Sequence, residues 1–140
     1  MYSARDVMTA EVIRCPESAT VEEATRLLLD NKVSGAPVVD ADGNVVGVIS
    51  EYQLLELVYN PDLRRVPVAQ FMTRDVLTVT EQTLLSDVAG MFLEHRIRRL
   101  PVLRNGRLVG LISRPDLLRY ALDASDEMAE YLGALNSLAG

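Results

Sequence analysis

The chain is poor in the residues on which disulfides and most catalytic sites depend. Its 140 residues include one cysteine, Cys15, and one histidine, His95. A single cysteine excludes an internal disulfide and favours a reducing compartment, and we interpret Cys15 as a small buried residue rather than a redox switch. The sequence has no paired nucleophile and base, no metal-ligand spacing and no Walker loop. We therefore expect neither an enzyme nor a metal site.

Basic residues and long apolar runs are also scarce. The chain has 14 basic against 20 acidic residues, a net charge of -6, which argues against nucleic acid as a partner because a phosphate backbone needs a basic footprint. A local arginine cluster could still bind a small anion. The longest apolar runs are too short to cross a bilayer, and the first residues lack the apolar core of a signal peptide. We expect a soluble cytoplasmic protein without a membrane partner.

What the chain does contain is an internal repeat. Three segments of the first half recur 63 or 64 residues later in the second half. These pairs of segments are 7–9 with 71–73, 36–39 with 100–103, and 45–50 with 108–113. The second copy is one residue shorter, because Ala41-Asp42-Gly43 becomes Asn105-Gly106. Neither half has enough faces to bury a core alone, so we expect the two copies to pack together.

Each copy predicts the element order β-α-β-β-α, an α/β (α+β) fold with pseudo-two-fold symmetry. Thr20 is placed to cap a helix, and Pro37 stands at a strand start, where its missing amide costs least. Asp-Gly and Asn-Gly predict tight hairpin turns. The predicted units and elements are repeat 7–60, linker 61–70, repeat 71–124, helical tail 125–140, first strands Val12–Cys15 and Val76–Val79, and a last helix from Pro115 to about Ala124.

The second copy carries the most distinctive motifs. His95-Arg96-Ile97-Arg98-Arg99 leads into Leu100-Pro101-Val102, and Gly110-Leu111-Ile112-Ser113 is followed by Asp116. In this order and spacing, and with the duplication, the chain resembles a pair of CBS domains, named for cystathionine beta-synthase, which together are called a Bateman module. The resemblance runs from about Asp6 to about Leu122.

The resemblance implies a regulatory, non-catalytic module that senses an adenine nucleotide between the repeats. It implies that Asp116 accepts hydrogen bonds from both ribose hydroxyls, with Ser113 and the helix N-terminus facing the nucleotide. A carboxylate is a bidentate acceptor that suits a cis-diol, and a helix N-terminus attracts phosphate. A second interpretation needs no ligand, because Ser113-x-x-Asp116 also fits a capping box, as does Ser50-x-x-Gln53.

Pockets in this family are built from both repeats. Carried over to this chain, the Asp116 pocket uses Ile13 against adenine, Ser34 near ribose or phosphate, and Arg99 on phosphate. Core packing is at least as good an interpretation of Ile13, and of its counterpart Leu77 in the other pocket.

The pseudo-equivalent pocket is expected to be weak or empty. Gln53 stands where the ribose-binding aspartate would be, and an amide oxygen binds a diol less strongly than a carboxylate does. The residues predicted for this second pocket are Ser50, Gln53, Leu77, His95 and Arg98.

Two functions stay open at this point. One is a module that signals energy state through a change of conformation or oligomeric state, with AMP, ADP, ATP or S-adenosylmethionine as possible ligands and no other cofactor. The other is a ligand-free scaffold for dimerisation and partner proteins. Both predict a homodimer and an unknown target protein. An apolar stripe in the tail is expected to contribute to the dimer, with the residues Met128, Tyr131, Leu132, Leu135 and Leu138.

Overall fold

Two three-stranded sheets form the architecture, one from each half of the chain. The computed structural model describes residues 2–139, with side chains except at 126–131, 135–136 and 138–139. The strands are β1 (Cys15–Pro16), β2 (Gly35–Val39) and β3 (Val45–Ser50) in the first sheet, and β4 (Val79–Thr80), β5 (Arg99–Arg104) and β6 (Arg107–Ser113) in the second. In each sheet the first strand pairs in parallel with the second, which forms an antiparallel hairpin with the third. The predicted fold of two pseudo-symmetric repeats is confirmed.

Five α-helices accompany the sheets in the described part of the chain. They are α1 (Ala4–Val7), α2 (Val21–Asp30), α3 (Glu51–Leu54), α4 (Leu85–His95) and α5 (Arg114–Ala139). Three short 3-10 helices lie between β3 and β4, over Leu55–Val58, Pro61–Arg65 and Val68–Gln70. The first strands begin later than predicted, at Cys15 and Val79, so residues 12–14 and 76–78 approach them as irregular chain.

Local chemistry accounts for the boundaries of α2. The Thr20 side chain accepts a hydrogen bond from the Glu23 amide at 3.1 Å, and the Glu23 carboxylate accepts one from the Thr20 amide at 3.1 Å. This reciprocal pair satisfies two amides that the first helical turn leaves without partners. After the helix, Lys32 adopts a left-handed φ of 53°, and Arg96 does the same after α4. The two helices therefore end in the same way.

The N-terminal segment of the chain packs on the second repeat. Thr9 exchanges two backbone hydrogen bonds with Leu111 of β6, at 2.9 and 3.0 Å. In the same way Thr73 exchanges two bonds of 2.9 Å with Val48 of β3. Each Met-Thr motif is thus paired with the opposite copy. The predicted repeat boundaries follow the sequence similarity, whereas the packing crosses them.

Two glycines make this crossed packing possible. The Met8 side chain contacts Gly110, where an added Cβ would overlap Sδ and lie 2.9 Å from Cγ. Met72 lies against Gly47, where a Cβ would be 2.5 Å from Sδ. Any larger residue on either strand would displace the methionine. The repeated glycine therefore serves the contact between repeats.

The predicted linker 61–70 packs into the hydrophobic core of the first repeat. Val68 is fully buried, and its amide donates to the Ala19 carbonyl at 2.8 Å. The Val21 amide donates to the Val66 carbonyl at 2.8 Å. The linker is therefore hydrogen-bonded to the N-terminal end of α2 and is not a free connection between the two repeats.

The last helix is longer than predicted. α5 continues without a break from Arg114 to Ala139, so the predicted tail is the second half of one helix. Of the predicted apolar stripe, Leu132 is exposed. The other four side chains, Met128, Tyr131, Leu135 and Leu138, lie outside the described residues. In the part of the chain that the structure describes, no helix combines the length and the apolar character that a membrane crossing requires.

Cys15 is a buried residue of the first core, as predicted. Its side chain is fully enclosed and free of any disulfide. Burial, with a smaller contribution from Glu23, raises the pKa of the Cys15 thiol to about 11. Since the thiolate is the reactive form, this thiol is inert near neutral pH.

Glu81 is the buried charged residue of the described core. Its carboxylate accepts two hydrogen bonds from the Arg104 guanidinium, from Nε at 2.6 Å and Nη2 at 2.9 Å. These bonds hold the pKa of Glu81 below its ordinary value. The Glu81 carbonyl also accepts from the Arg5 amide at 3.0 Å, so the same residue anchors α1.

Replacing Glu81 by Gln is expected to lower the free energy of unfolding at pH 7, because Arg104 loses its charged partner. A carboxyl whose folded-state pKa is lowered stabilises the protein above its unfolded-state pKa and loses this effect as pH falls through the folded value. The difference between the wild type and Glu81→Gln should therefore shrink below about pH 4.5, the ordinary pKa. Urea unfolding at pH 7 and at lower pH measures it. A pH-independent difference would contradict the ion-pair explanation.

Candidate functional site

The two sheets meet at the beginnings of their central strands, β2 and β5. Gly35 begins β2 and Arg99 begins β5, and these are pseudo-equivalent positions. A Cβ at Gly35 would overlap Nη1 of Arg99 and lie 2.8 Å from its Cζ. The guanidinium thus occupies the space that a side chain on β2 would otherwise fill. Only one of the two copies can carry a large residue here.

Arg99 is held in place from the first repeat. Its Nη2 donates a hydrogen bond to Oγ of Ser34. Desolvation lowers the pKa of Arg99, and the neighbouring charge of Arg98 lowers it further, while Glu51 acts in the opposite direction. Two cationic side chains therefore stand side by side at the junction of the repeats, with Arg99 partly removed from water and Arg98 exposed.

A cleft of about 390 Å³ lies on the side of β6 and the start of α5. Three of the residues predicted for the stronger site, Ser34, Arg99 and Ser113, line it together. The full lining is Val33, Ser34, Gly35, Arg98, Arg99, Leu111, Ser113, Arg114 and Pro115. We call this space the Asp116 cleft, after the residue in the first turn of α5 beside it.

The Asp116 carboxylate is engaged on both oxygens. Oδ2 accepts from the Ser113 amide at 2.8 Å and from Ser113 Oγ at 2.8 Å. Oδ1 accepts from Nη2 of Arg119 at 2.7 Å. The Asp116 side chain is 10% exposed, against 69% for Arg119. The capping interpretation is therefore correct for Oδ2, whereas Oδ1 is paired with a solvent-exposed arginine.

A second cleft of about 270 Å³ lies on the side of β3. It brings together three of the residues predicted for the weaker site, Ser50, Leu77 and Arg98. The full lining is Val48, Ser50, Thr73, Asp75, Val76, Leu77, Ile97, Arg98, Arg99 and Pro101. We call this space the Gln53 cleft by analogy with the first.

Gln53 copies half of the Asp116 arrangement. Its Oε1 accepts from the Ser50 amide at 3.0 Å, as Oδ2 of Asp116 accepts from Ser113. Its other terminal atom, Nε2, donates to Oγ1 of Thr73 at 2.8 Å. A donor therefore stands where Asp116 has its second acceptor, so a side chain with two acceptor oxygens is present at this position in one copy only.

Four predicted site residues do not line either cleft, namely Ile13, His95, Asp116 and Gln53. Asp116 lies beside the cleft that carries its name, and Gln53 lines a separate cavity with Tyr52 and Phe71. Ile13 is half-buried in the irregular chain before β1. His95 is the last residue of α4, with Nε2 3.8 Å from the Glu94 carboxylate. The left-handed turn at Arg96 separates His95 from β5, which explains why the neighbouring Arg98 reaches the clefts and His95 does not. Their roles at a ligand stay predictions.

Sequence reasoning missed several residues of the site. Arg119 could have been found, because it follows Asp116 by three positions on a helix, the spacing of a common ion pair. Asp75 and Thr73 lie in the Gln53 cleft only because their segment crosses to the opposite repeat, and no local pattern signals that. A third cavity of about 390 Å³ joins the clefts and is lined by Ser34, Ser50, Glu51, Tyr52, Arg98 and Arg99.

The family model for the CBS domain matches the chain twice, over residues 4–60 and 68–123. The chain belongs to the CBS domain family. CBS pairs are generally regulatory rather than catalytic, and adenine nucleotides are found bound in some of them.

A crystal structure of a plant CBS pair, CBSX2 of Arabidopsis thaliana in complex with AMP, is similar to this CBS pair. It has a TM-score of 0.80 and 35% identity, and the match covers 89% of this chain and 99% of that one. An uncharacterised protein of Methanocaldococcus jannaschii is 32% identical over 82% of this chain, which spans 41% of that protein. An A-adding tRNA nucleotidyltransferase of Geobacter sulfurreducens is 31% identical over 96% of this chain, which spans 15% of that enzyme. The first-named protein is another CBS pair, whereas the other two carry the similar segment within longer chains.

Gly35→Ala is expected to destabilise this CBS pair by about 1–3 kcal/mol, since the new Cβ overpacks a buried contact. It would overlap the Arg99 guanidinium and lie 2.9 Å from the Ile49 carbonyl oxygen. Combining it with Arg99→Ala should recover part of the loss, because only the backbone contact with Ile49 then remains.

Chemical unfolding of the wild type, both single variants and the double variant measures this coupling. Strictly additive effects of the two substitutions would show that Gly35 does not make room for Arg99.

Proposed function

We propose that this CBS pair is a regulatory module that binds an adenine nucleotide in the Asp116 cleft. One observation supports the proposal above the others. Ser113, which is hydrogen-bonded to Asp116, lines the same cleft as Arg98 and Arg99. A diol acceptor thus lies beside a cavity that is lined by two cations, which suits the ribose and the phosphate of a nucleotide.

In this proposal the nucleotide replaces a contact within the protein. Oδ2 of Asp116 stays in the cap of α5, and the ribose hydroxyls take the acceptor positions of Oδ1 from Arg119. The phosphate contacts Arg99, Ser34 and the N-terminus of α5, and adenine packs near Ile13. The AMP complex of the similar CBSX2 protein supports this class of ligand.

The Gln53 cleft is the weaker site of the proposal. Ser50, Leu77 and Arg98 line it, but the amide of Gln53 offers no second acceptor and no negative charge. Unequal occupancy of the two clefts is the consequence.

Replacing Asp116 by Ala is expected to weaken AMP binding about ten- to a hundred-fold, since a charge-assisted contact is worth roughly 1.5–3 kcal/mol. Asp116→Asn should also bind weakly while keeping the acceptor that caps α5. Titration calorimetry with AMP, ADP and ATP measures the affinities. Affinity should rise with phosphate charge and fall with added salt.

Gln53→Ala is the matched control and should change AMP binding little. Thermal unfolding of each variant verifies that the fold is retained. If none of the three nucleotides binds below millimolar concentration, or if Asp116→Asn and Asp116→Ala both bind like the wild type, the nucleotide-sensing proposal is wrong.

The second candidate is a dimerisation scaffold, and an exposed apolar surface favours it. The surface follows α3 and the next 3-10 helix and consists of Tyr52, Leu55, Val58 and Tyr59. Exposed patches of this kind commonly mark protein interfaces. A homodimer through this helical face is compatible with both candidates. Cytoplasmic location and the target protein stay predictions.

Val58→Glu and Tyr59→Glu, each tested alone, are expected to convert a homodimer into monomers. Each substitution would place an unpaired charge in the apolar interface between the two subunits. Light scattering at micromolar concentration measures the mass. Leu29→Glu, at an exposed position on α2 outside this surface, is the control and should stay dimeric. A monomeric wild type would contradict the proposed dimer.

A further inference from the structure

The two clefts do not have separate sets of cationic residues. Arg98 and Arg99 line the Asp116 cleft, the Gln53 cleft and the cavity that joins them. Both come from the second repeat, at the start of β5. The pseudo-equivalent residues of the first repeat are Ser34 and Gly35, which carry no charge.

The first repeat cannot carry an arginine at Gly35, the position equivalent to Arg99. Gly35 has no room for a side chain while Arg99 is in place, because the guanidinium already fills that space. The pseudo-symmetry of the fold thus yields two clefts but one cationic centre. The asymmetry follows from packing at the junction of the sheets.

The remaining charges near the clefts do not supply another phosphate site. Arg114 lines the Asp116 cleft, but its Nε donates to the Ile97 carbonyl at 2.9 Å and its Nη2 to the Arg96 carbonyl at 3.2 Å. Asp75 in the Gln53 cleft and Glu51 in the joining cavity are acidic. Without Arg98 and Arg99, the charged side chains that line the Gln53 cleft and the joining cavity would be the acidic Asp75 and Glu51.

We propose that the two clefts share one phosphate site, so that a chain binds one nucleotide phosphate at a time even when both clefts can bind adenosine. The inference rests on the proposed function, and it adds that a phosphate bound in one cleft prevents a second phosphate from binding in the other. A phosphate in either cleft neutralises the arginine pair. The second cleft then no longer attracts an anion but is unchanged toward an uncharged nucleoside.

Inorganic pyrophosphate tests the shared site directly on the wild type. Calorimetry should give one pyrophosphate per chain, and saturation with AMP should abolish its binding. Two independent pyrophosphate sites, or pyrophosphate and AMP bound together without competition, would overturn the inference. Binding of AMP itself, measured first, separates failure of this inference from failure of the proposed function.

Gln53→Asp extends the test, because it gives the second cleft the carboxylate that the first has. This variant should bind two adenosines per chain, whereas its second AMP should bind at least about tenfold more weakly than the first, a usual size for coupling between sites. Equal affinities for two AMP molecules would contradict a shared centre. If only one adenosine binds, the pyrophosphate stoichiometry decides alone.

Ser34→Arg, added to Gln53→Asp, supplies a cation at the position equivalent to Arg98. With a second cationic group present, the gap between the first and second AMP affinities should narrow. Ser34→Gln in the same background is the matched control, because it also removes the Ser34 hydroxyl but adds no charge, and it should lower both affinities without narrowing the gap. A gap that Ser34→Arg does not narrow would show that charge sharing is not its cause.

Discussion

The contact between Gly35 and the Arg99 guanidinium determines how the rest of this CBS pair is arranged. Two similar sheets approach each other at equivalent ends, and a symmetric pair of long side chains could not fit between them. The glycine on one strand admits the arginine of the other, which Ser34 then holds by a hydrogen bond. A nearly symmetric fold therefore has an asymmetric, cationic centre, and both clefts face it.

The crossed packing of the Met-Thr motifs makes the two repeats a single unit. Met8 and Thr9 complete the surface of the second repeat, and Met72 and Thr73 complete that of the first. Separating the repeats would remove these contacts and expose both glycine-lined strands. The walls of the clefts consequently keep their spacing, which a binding site made from two weakly joined domains would not do.

Sequence reasoning recovered what depends on neighbouring residues. The Thr20 cap, the hairpins and the cap formed by Ser113 and Asp116 were all predictable, since each depends on residues a few positions apart. The duplication added the two-repeat fold, and with the family resemblance it placed Ser34, Arg99 and Ser113 in one cleft. The crossed packing was not predictable, because Thr73 reaches β3 through tertiary contacts alone. The role of residues 61–70 was missed for the same reason, since Val68 is buried by elements distant in sequence.

The first turn of α5 links the candidate site to the rest of the helix. Asp116 caps the helix through one oxygen and pairs with Arg119 through the other, and the next residue, Tyr120, packs edge-on against Tyr2 at 5.0 Å between ring centroids. A ligand that takes Arg119 from Asp116 would free a side chain beside the contact that fastens the N-terminal segment. That segment also carries Met8, whose side chain packs against Gly110 of β6, the strand that precedes α5. Under the proposed function, a ligand at Oδ1 of Asp116 would therefore act a few residues from the contact between Tyr120 and Tyr2 that holds the N-terminal segment.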